Sequence, residues 1–273
     1  MSHTKKNLQD NARYYDEFDH LFSVVSDGSE LLNLGCTLKG QQHKYPVHAQ
    51  NQMIDFIADL GDFQSHHKIL DVGCGSGKGA QRTRQMTGAT VVGLDATLNH
   101  CKYPMGKQTK ICADAMAIPL KDATFDRIYC IESAFHYADK AQFIREAHRV
   151  LRPGGKLVIA DILLARGWGL RLFHKLMKRA VAAATFYELQ NYMQDALKAD
   201  LRFCSSSDIS ADVRRVFPLW RRAFRNAWQE LRKTYSLATL STIMVALLAI
   251  PTLTKVIGLK YTVLIFDRCE STC

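Results

Sequence analysis

The chain has no C-x-x-C pair, no H-E-x-x-H and no set of cysteines and histidines at metal-ligand spacing. Its eight cysteines stand singly along 273 residues, so neither a dithiol redox site nor a structural metal is expected. They read as reduced, small hydrophobes of an intracellular protein. No apolar leader opens the chain: Met1 to Asn7 is polar and charged, and a cytoplasmic protein is the expectation. Acidic residues are scarce in one region. Residues 163–260 hold 16 Lys and Arg against 6 Asp and Glu, while the remainder balances at 20 against 20. Such an excess points to nucleic acid, an anionic membrane or an acidic substrate, or it is a solvated helix face. Charge of either sign is missing from the 20 residues Tyr235 to Thr254, a run long enough to span a bilayer. Six hydroxyl side chains and a helix-breaking Pro251 interrupt it, and a strand pattern resumes a few residues later. It is expected as a buried helix or lid, with its apolar face against a membrane as the alternative.

What the chain does have is a glycine turn. Ile69-Leu70-Asp71-Val72 reads as a buried parallel strand, and Gly73-Cys74-Gly75-Ser76-Gly77-Lys78-Gly79 as the turn into a helix. Glycine suits such a turn because it tolerates φ > 0 and lets a ligand approach the backbone. A phosphate-binding loop is excluded, since three residues rather than four separate Gly73 from Gly77-Lys78. The dinucleotide pattern G-x-G-x-x-G/A fits Gly75, Gly77 and Ala80. The pattern acid-x-G-x-G-x-G fits Asp71, Gly73, Gly75 and Gly77. A second strand, Ala89 to Asp95, ends in an acid 18 residues beyond Gly77. A carboxylate there accepts both hydroxyls of a ribose, whichever ligand carries it.

The acid-x-G-x-G-x-G run resembles motif I of the class I S-adenosylmethionine (SAM) methyltransferases. The likeness continues in order through Asp95, Cys112-Ala113-Asp114-Ala115-Met116-Ala117-Ile118-Pro119-Leu120, Phe125-Asp126-Arg127-Ile128 and Leu151-Arg152-Pro153-Gly154-Gly155-Lys156-Leu157. It covers residues 10–165 closely and the rest loosely. It implies an α/β fold: a Rossmann-like seven-stranded class I sheet with N-terminal helices and a helical lid inserted after strand five. One domain, 1–273, would comprise a cap (1–66), a SAM-binding core (67–162), a lid with strand six (163–260) and a last strand with tail (261–273). The resemblance assigns the cofactor SAM to Asp71, Gly73, Cys74, Gly75 and Gly77. It adds Asp95 and Ala96 after strand two, Asp114 and Ala115 after strand three, and Glu132 after strand four.

The same likeness bears on the acceptor. Tyr14-Tyr15-Asp16 resembles the start of the sterol, tocopherol and natural-product methyltransferases, and Leu32-Asn33-Leu34-Gly35 matches a short motif ahead of their site. Substrate contacts are expected from Tyr15, His136, Trp168 and Phe173. In the loop Cys130-Ile131-Glu132-Ser133-Ala134-Phe135-His136-Tyr137, His136 is the candidate base, an imidazole with reference pKa about 6.5. Glu132 is expected to touch the cofactor or to act as base itself, and Asp161 to orient His136 or the substrate. The acceptor class is a small, largely apolar metabolite such as a natural product, quinone or isoprenoid; whether oxygen, nitrogen or carbon is methylated stays open, as does the oligomeric state. Nucleic acid is not expected. Base-amino enzymes carry Asn/Asp-Pro-Pro-Tyr/Phe where this chain has Ile131-Glu132-Ser133-Ala134, and no proline precedes a cysteine to make a cytosine-carbon nucleophile. A SAM-fold protein that binds lipid or partner without turnover, an NAD-dependent dehydrogenase and an RNA methyltransferase remain as alternatives.

Periodicity places strands at 67–72, 90–95, 109–112, 126–131, 156–162, 201–204 and 261–267. Helices are expected at 8–26, 47–60, 78–87, 97–104, 138–150, 165–198 and 211–233, the last opened by Asp208 as N-cap. The basic excess has two functional readings. Arg166, Arg171, Lys175 and Arg179 beside Trp168 and Phe173 suit an anionic membrane surface. Arg214, Arg221 and Arg225 suit a phosphate or carboxylate on the substrate.

Overall fold

The computed structural model describes residues 19–26, 28–102, 109–164 and 185–270. Seven strands form one sheet in the order β3-β2-β1-β4-β5-β7-β6. They are β1 (Lys68–Val72), β2 (Thr90–Asp95), β3 (Thr109–Cys112), β4 (Phe125–Ile131), β5 (Leu151–Leu163), β6 (Leu201–Asp208) and β7 (Lys260–Arg268). The first five run parallel, and β7 lies antiparallel between β5 and β6.

Strand periodicity divides the core. Successive residues point to opposite faces, and in a sheet covered on both sides each face is apolar. Ile69, Tyr129, Val158 and Val263 build one cluster, packed with α2 (Pro46–Leu60) and α8 (Phe217–Leu231). Leu70, Ile128, Leu157 and Leu264 build the other, under α5 (Lys140–Val150) and α6 (Leu189–Lys198). The chain winds outward in both directions from the seam between β1 and β4, where the strand order reverses. In such sheets the crevice past the strand ends at that seam receives the ligand. The glycine turn sits there, leading into α3 (Lys78–Thr87). Two small elements complete the rim: α1 (residues 19–25) and α4 (Leu98–Lys102).

Residues 185–188 lie outside any helix, so the described part of the expected 165–198 helix is α6 alone, and the helical regions differ from expectation in four further ways. The 211–233 helix is two, α7 (Ser210–Arg214) and α8, because Pro218 falls in the first turn of α8. A first turn has no use for the missing N–H, whereas a helix interior does. Asp208 ends β6 rather than capping the helix, although its Oδ1 accepts the N–H and hydroxyl of Ser210 at 3.0 and 2.5 Å. Pro251 does not break α9 (Leu237–Ile257). Proline leaves the carbonyl four residues back without its donor, and the Leu247 carbonyl accepts from Arg221 Nη1 at 3.4 Å instead. Arg221 thus ties α8 to α9 through one of its N–H groups. Finally, α9 is not buried. Leu240 is covered and Ile243, Met244, Leu247 and Ile250 are partly so, but Leu237, Val245, Leu248 and Val256 are 55–78% exposed. Among the described residues one stripe of the helix meets the body of the protein, so its apolar composition does not translate into burial there. Tyr14, Tyr15, Arg166, Trp168, Arg171, Phe173, Lys175 and Arg179 lie outside the described residues.

Candidate active site

The turn after β1 is fixed to its neighbour strand. Gly73 N–H and Cys74 N–H both donate to the Leu94 carbonyl, at 2.7 and 3.1 Å. Gly73 has φ +76, and a Cβ there would stand 2.4 Å from Ser133 Cβ, so the turn and the loop after β4 touch through the missing side chain. Lys110 of β3 reaches beneath the turn and donates to the carbonyls of Gly75 at 3.1 Å, Ser76 at 2.9 Å and His100 at 2.7 Å. With its carbonyls held from below, the turn lines one wall of a cavity enclosing about 1140 Å³ of atom-free space, part of it open to solvent.

Each acid predicted from the sequence lines this cavity except one. Asp71 is 4% exposed at the end of β1, and burial pushes its carboxyl up to about 7 against the opposing Tyr129 hydroxyl. Asp95 ends β2. Its Oδ2 accepts Gly75 N–H at 2.8 Å and its Oδ1 accepts Thr97 N–H at 2.8 Å. Burial works against its charge, yet the His100 ring and these amides hold the carboxyl below its ordinary value. Asp114 follows β3, with Oδ1 taking Met116 N–H at 2.9 Å. Ala96 and Ala115 line the same wall.

Across the cavity stands the loop after β4. Glu132 has φ +52, a left-handed conformation that is strained for any residue with a Cβ. Its Oε1 accepts Leu34 N–H at 2.9 Å and the Tyr261 hydroxyl at 2.8 Å. Burial pushes its carboxyl up to about 7, against both hydrogen bonds. A short 3₁₀ turn, Ala134–His136, then carries His136, buried on the cavity wall with its ring 4.2 Å from that of Phe135.

Asp161 is the exception. It is fully buried and absent from the cavity wall, its Oδ2 taking the Tyr192 hydroxyl at 2.5 Å and its Oδ1 the N–H of Ile162 at 2.8 Å. It also accepts from the backbone of Phe135. A carboxyl so enclosed cannot touch an acceptor; it fastens the loop's backbone to α6.

The sequence reading singled out Leu32-Asn33-Leu34-Gly35 and the loop from Cys130 to Tyr137, but not what their individual side chains do at and behind the wall. Asn33 is 8% exposed and its Oδ1 has no hydrogen-bond partner among the described residues, a buried acceptor on the cavity wall. Tyr261 and Leu34 fix Glu132 from 129 and 98 residues away, a separation no local pattern reveals. Ser133 and Tyr137 share a 2.9 Å hydroxyl contact, and Ser133 Oγ donates to the Val72 carbonyl at 3.0 Å.

Comparison with known proteins bears on the same residues. The methyltransferase domain family matches residues 70–159, from β1 into β5. Methyltransferase GfsG of Streptomyces halstedii is 36% identical over 188 residues, covering 64% of this chain and 67% of that protein. The 27-O-demethylrifamycin SV methyltransferase of Amycolatopsis mediterranei is 31% identical over 189 residues, with coverage of 64% and 67%. In fold, the chain is similar to the mycolic acid cyclopropane synthase CmaA1 crystallised with S-adenosylhomocysteine (SAH), at TM-score 0.83 and 17% identity over 95% of this chain and 98% of that one. With this fold, this glycine turn and these relatives, the chain belongs to the class I SAM-dependent methyltransferases.

Proposed function

We propose that the protein methylates a small, largely apolar metabolite of the natural-product, quinone or isoprenoid kind. The observation that carries this reading is a single cavity with the glycine turn, Asp95 and Asp114 on one wall and Glu132 and His136 on the other. The residues present fit SAM. Gly73, Cys74, Gly75 and Gly77 leave the turn open where a Cβ at Gly75 would meet Leu32 at 3.0 Å. Asp95 and Ala96 would hold the ribose, and Asp114 and Ala115 the adenine. The unpartnered Asn33 oxygen suits a donor such as the ligand's ammonium. When bound, SAM supplies an electrophilic methyl group.

The chain's own part is to align the acceptor, exclude water and take a proton. On the side of the cavity formed by the loop after β4, His136 and Glu132 are able to accept one. A relative named for demethylrifamycin SV supports an oxygen acceptor of natural-product type. The test is SAH release with a panel of apolar hydroxyl and carbon acceptors, using His136→Gln and Glu132→Gln. The variant that loses turnover while keeping SAH affinity identifies the base. Bulk RNA methylated as fast as any small acceptor would refute the reading; no SAH release across the panel would favour a binding protein.

We further infer that α9 rests on an anionic membrane surface. Its apolar window, Leu237–Val256, has mean hydropathy 1.9 and is 6% buried. Residues 217–257 carry six basic side chains and one acid, and Arg222, Arg225, Arg232, Lys233 and Lys255 are exposed. Apolar surface flanked by cations is complementary to anionic lipid. The helix lies on the surface rather than spanning, since its other stripe packs on α8 and β7 re-enters the sheet at Lys260. Flotation with anionic and neutral vesicles decides it. Indifference to both removes the membrane, and dimerisation without vesicle binding assigns the face to a second copy.

A further inference from the structure

His100 occupies an unusual place. It is 2% exposed on the short helix α4, and its ring lies between two carboxylates. Nδ1 stands 3.3 Å from Asp95 Oδ1, the acid on the cavity wall. Nε2 stands 2.8 Å from Asp19 Oδ2, on α1 at the cavity's rim. A neutral imidazole has one N–H and can donate to only one of them; the imidazolium donates to both. A buried ring facing two acids is therefore held in its charged form.

We propose that His100 is a positioning residue that latches helix α1 to the ribose-binding carboxylate of Asp95, so that cofactor binding and the seating of α1 are coupled. The inference rests on the reading of Asp95 as the ribose acid. One ring ties together groups 76 residues apart in the chain, Asp19 and Asp95. The same Asp95 carboxylate holds the glycine turn through Gly75 N–H at 2.8 Å. A ligand that orders Asp95 therefore orders His100, and through it α1. Conversely, α1 in place keeps the carboxylate aimed.

The latch depends on pH. Around the ring stand Asp19 and His20 of α1, Asp95 of β2, Lys110 of β3, Glu30 of the loop before α2, and Cys101 and Lys102 of α4 itself. Burial opposes the charge of His100, and the two carboxylates outweigh it, pushing the ring up to about 9 from 6.5. With the folded value raised, the latch's contribution is complete below about pH 6.5 and lost as pH rises through about 9.

The experiment is calorimetric titration of SAH into the full chain, Asp19→Asn and Asp95→Asn across that range, with ligand-free melting temperatures at each pH. Asp19 lies outside the cofactor wall, so its replacement tests the latch alone. Expected is a fall in wild-type SAH affinity as pH approaches 9. In Asp19→Asn the fall should come at lower pH, leaving affinity roughly tenfold weaker than wild type midway, the size of one charge-assisted hydrogen bond. An Asp19→Asn profile superimposed on wild type would overturn the latch, even if melting temperatures shift. Wild-type SAH affinity in Asp95→Asn would instead overturn the ribose reading. The two failures are thus distinguishable.

Discussion

Glu132→Gln should remove a pH-dependent loss of folded stability between about pH 4.5 and 7 and, at the same position, test one of the two candidate proton acceptors. The Glu132 carboxyl is lifted from its ordinary 4.5 to about 7 by burial. With a raised folded value, stability is fully present below about pH 4.5 and falls as pH climbs to about 7, where the loss is complete. At 1.36 kcal/mol per pH unit the loss approaches about 3 kcal/mol. That figure is a ceiling, because the residue lines an open cavity and solvent screens part of the penalty. Glutamine keeps an oxygen for Leu34 N–H and the Tyr261 hydroxyl but does not titrate. Its amide N–H₂ adds an offset of about 1–3 kcal/mol where no acceptor meets it. The offset is independent of pH, so the difference between the two stability curves isolates the carboxyl. Thermal melts of both proteins across this range should diverge between about pH 4.5 and 7, by up to about 6 °C, and run parallel above. Curves parallel throughout would refute the buried-acid account. In turnover assays, a loss beyond about 10²-fold with SAH affinity intact marks Glu132 as the proton acceptor; a smaller loss passes that role to His136.

Three further substitutions probe separate parts of the account. Gly75→Ala places a Cβ 3.0 Å from Leu32 Cδ1 at φ +52, a strain of about 1–2 kcal/mol; SAH affinity measured by calorimetry should drop at least about tenfold while the protein still melts cooperatively. Tyr192→Phe removes the 2.5 Å donor to Asp161 Oδ2 inside the core and should cost about 1–3 kcal/mol in urea denaturation. Val245→Glu with Leu248→Glu, both on the exposed stripe of α9, should leave stability within about 0.5 kcal/mol yet abolish flotation with anionic vesicles.

The sheet was legible because its strands announce themselves twice, by apolar runs and by the acid or glycine that ends them. Asp71, Asp95 and Asp114 each end or follow a strand, and parallel strands gather their ends at one edge, so the three meet in one cavity. Exposure was not legible. The uncharged run in α9 has the composition of a buried helix, and only the position of α8 determines which stripe is covered. Asp161 looked equivalent to Glu132 as a strand-end acid, yet Tyr192, from a helix 31 residues later, encloses it. His100 carried no signal, since a lone histidine on a short helix gains meaning only when Asp19 and Asp95 close around it.

Methyl transfer to a small apolar metabolite is open to one direct measurement. A cell extract is incubated with the purified protein and methyl-labelled SAM, and the label is followed by mass spectrometry through organic-soluble, protein and RNA fractions. The account predicts label in a discrete organic-soluble product, dependent on Asp95 and lost in the variant that lacks the base. Label confined to the RNA or protein fraction, or label unaffected by Asp95→Asn, would contradict it.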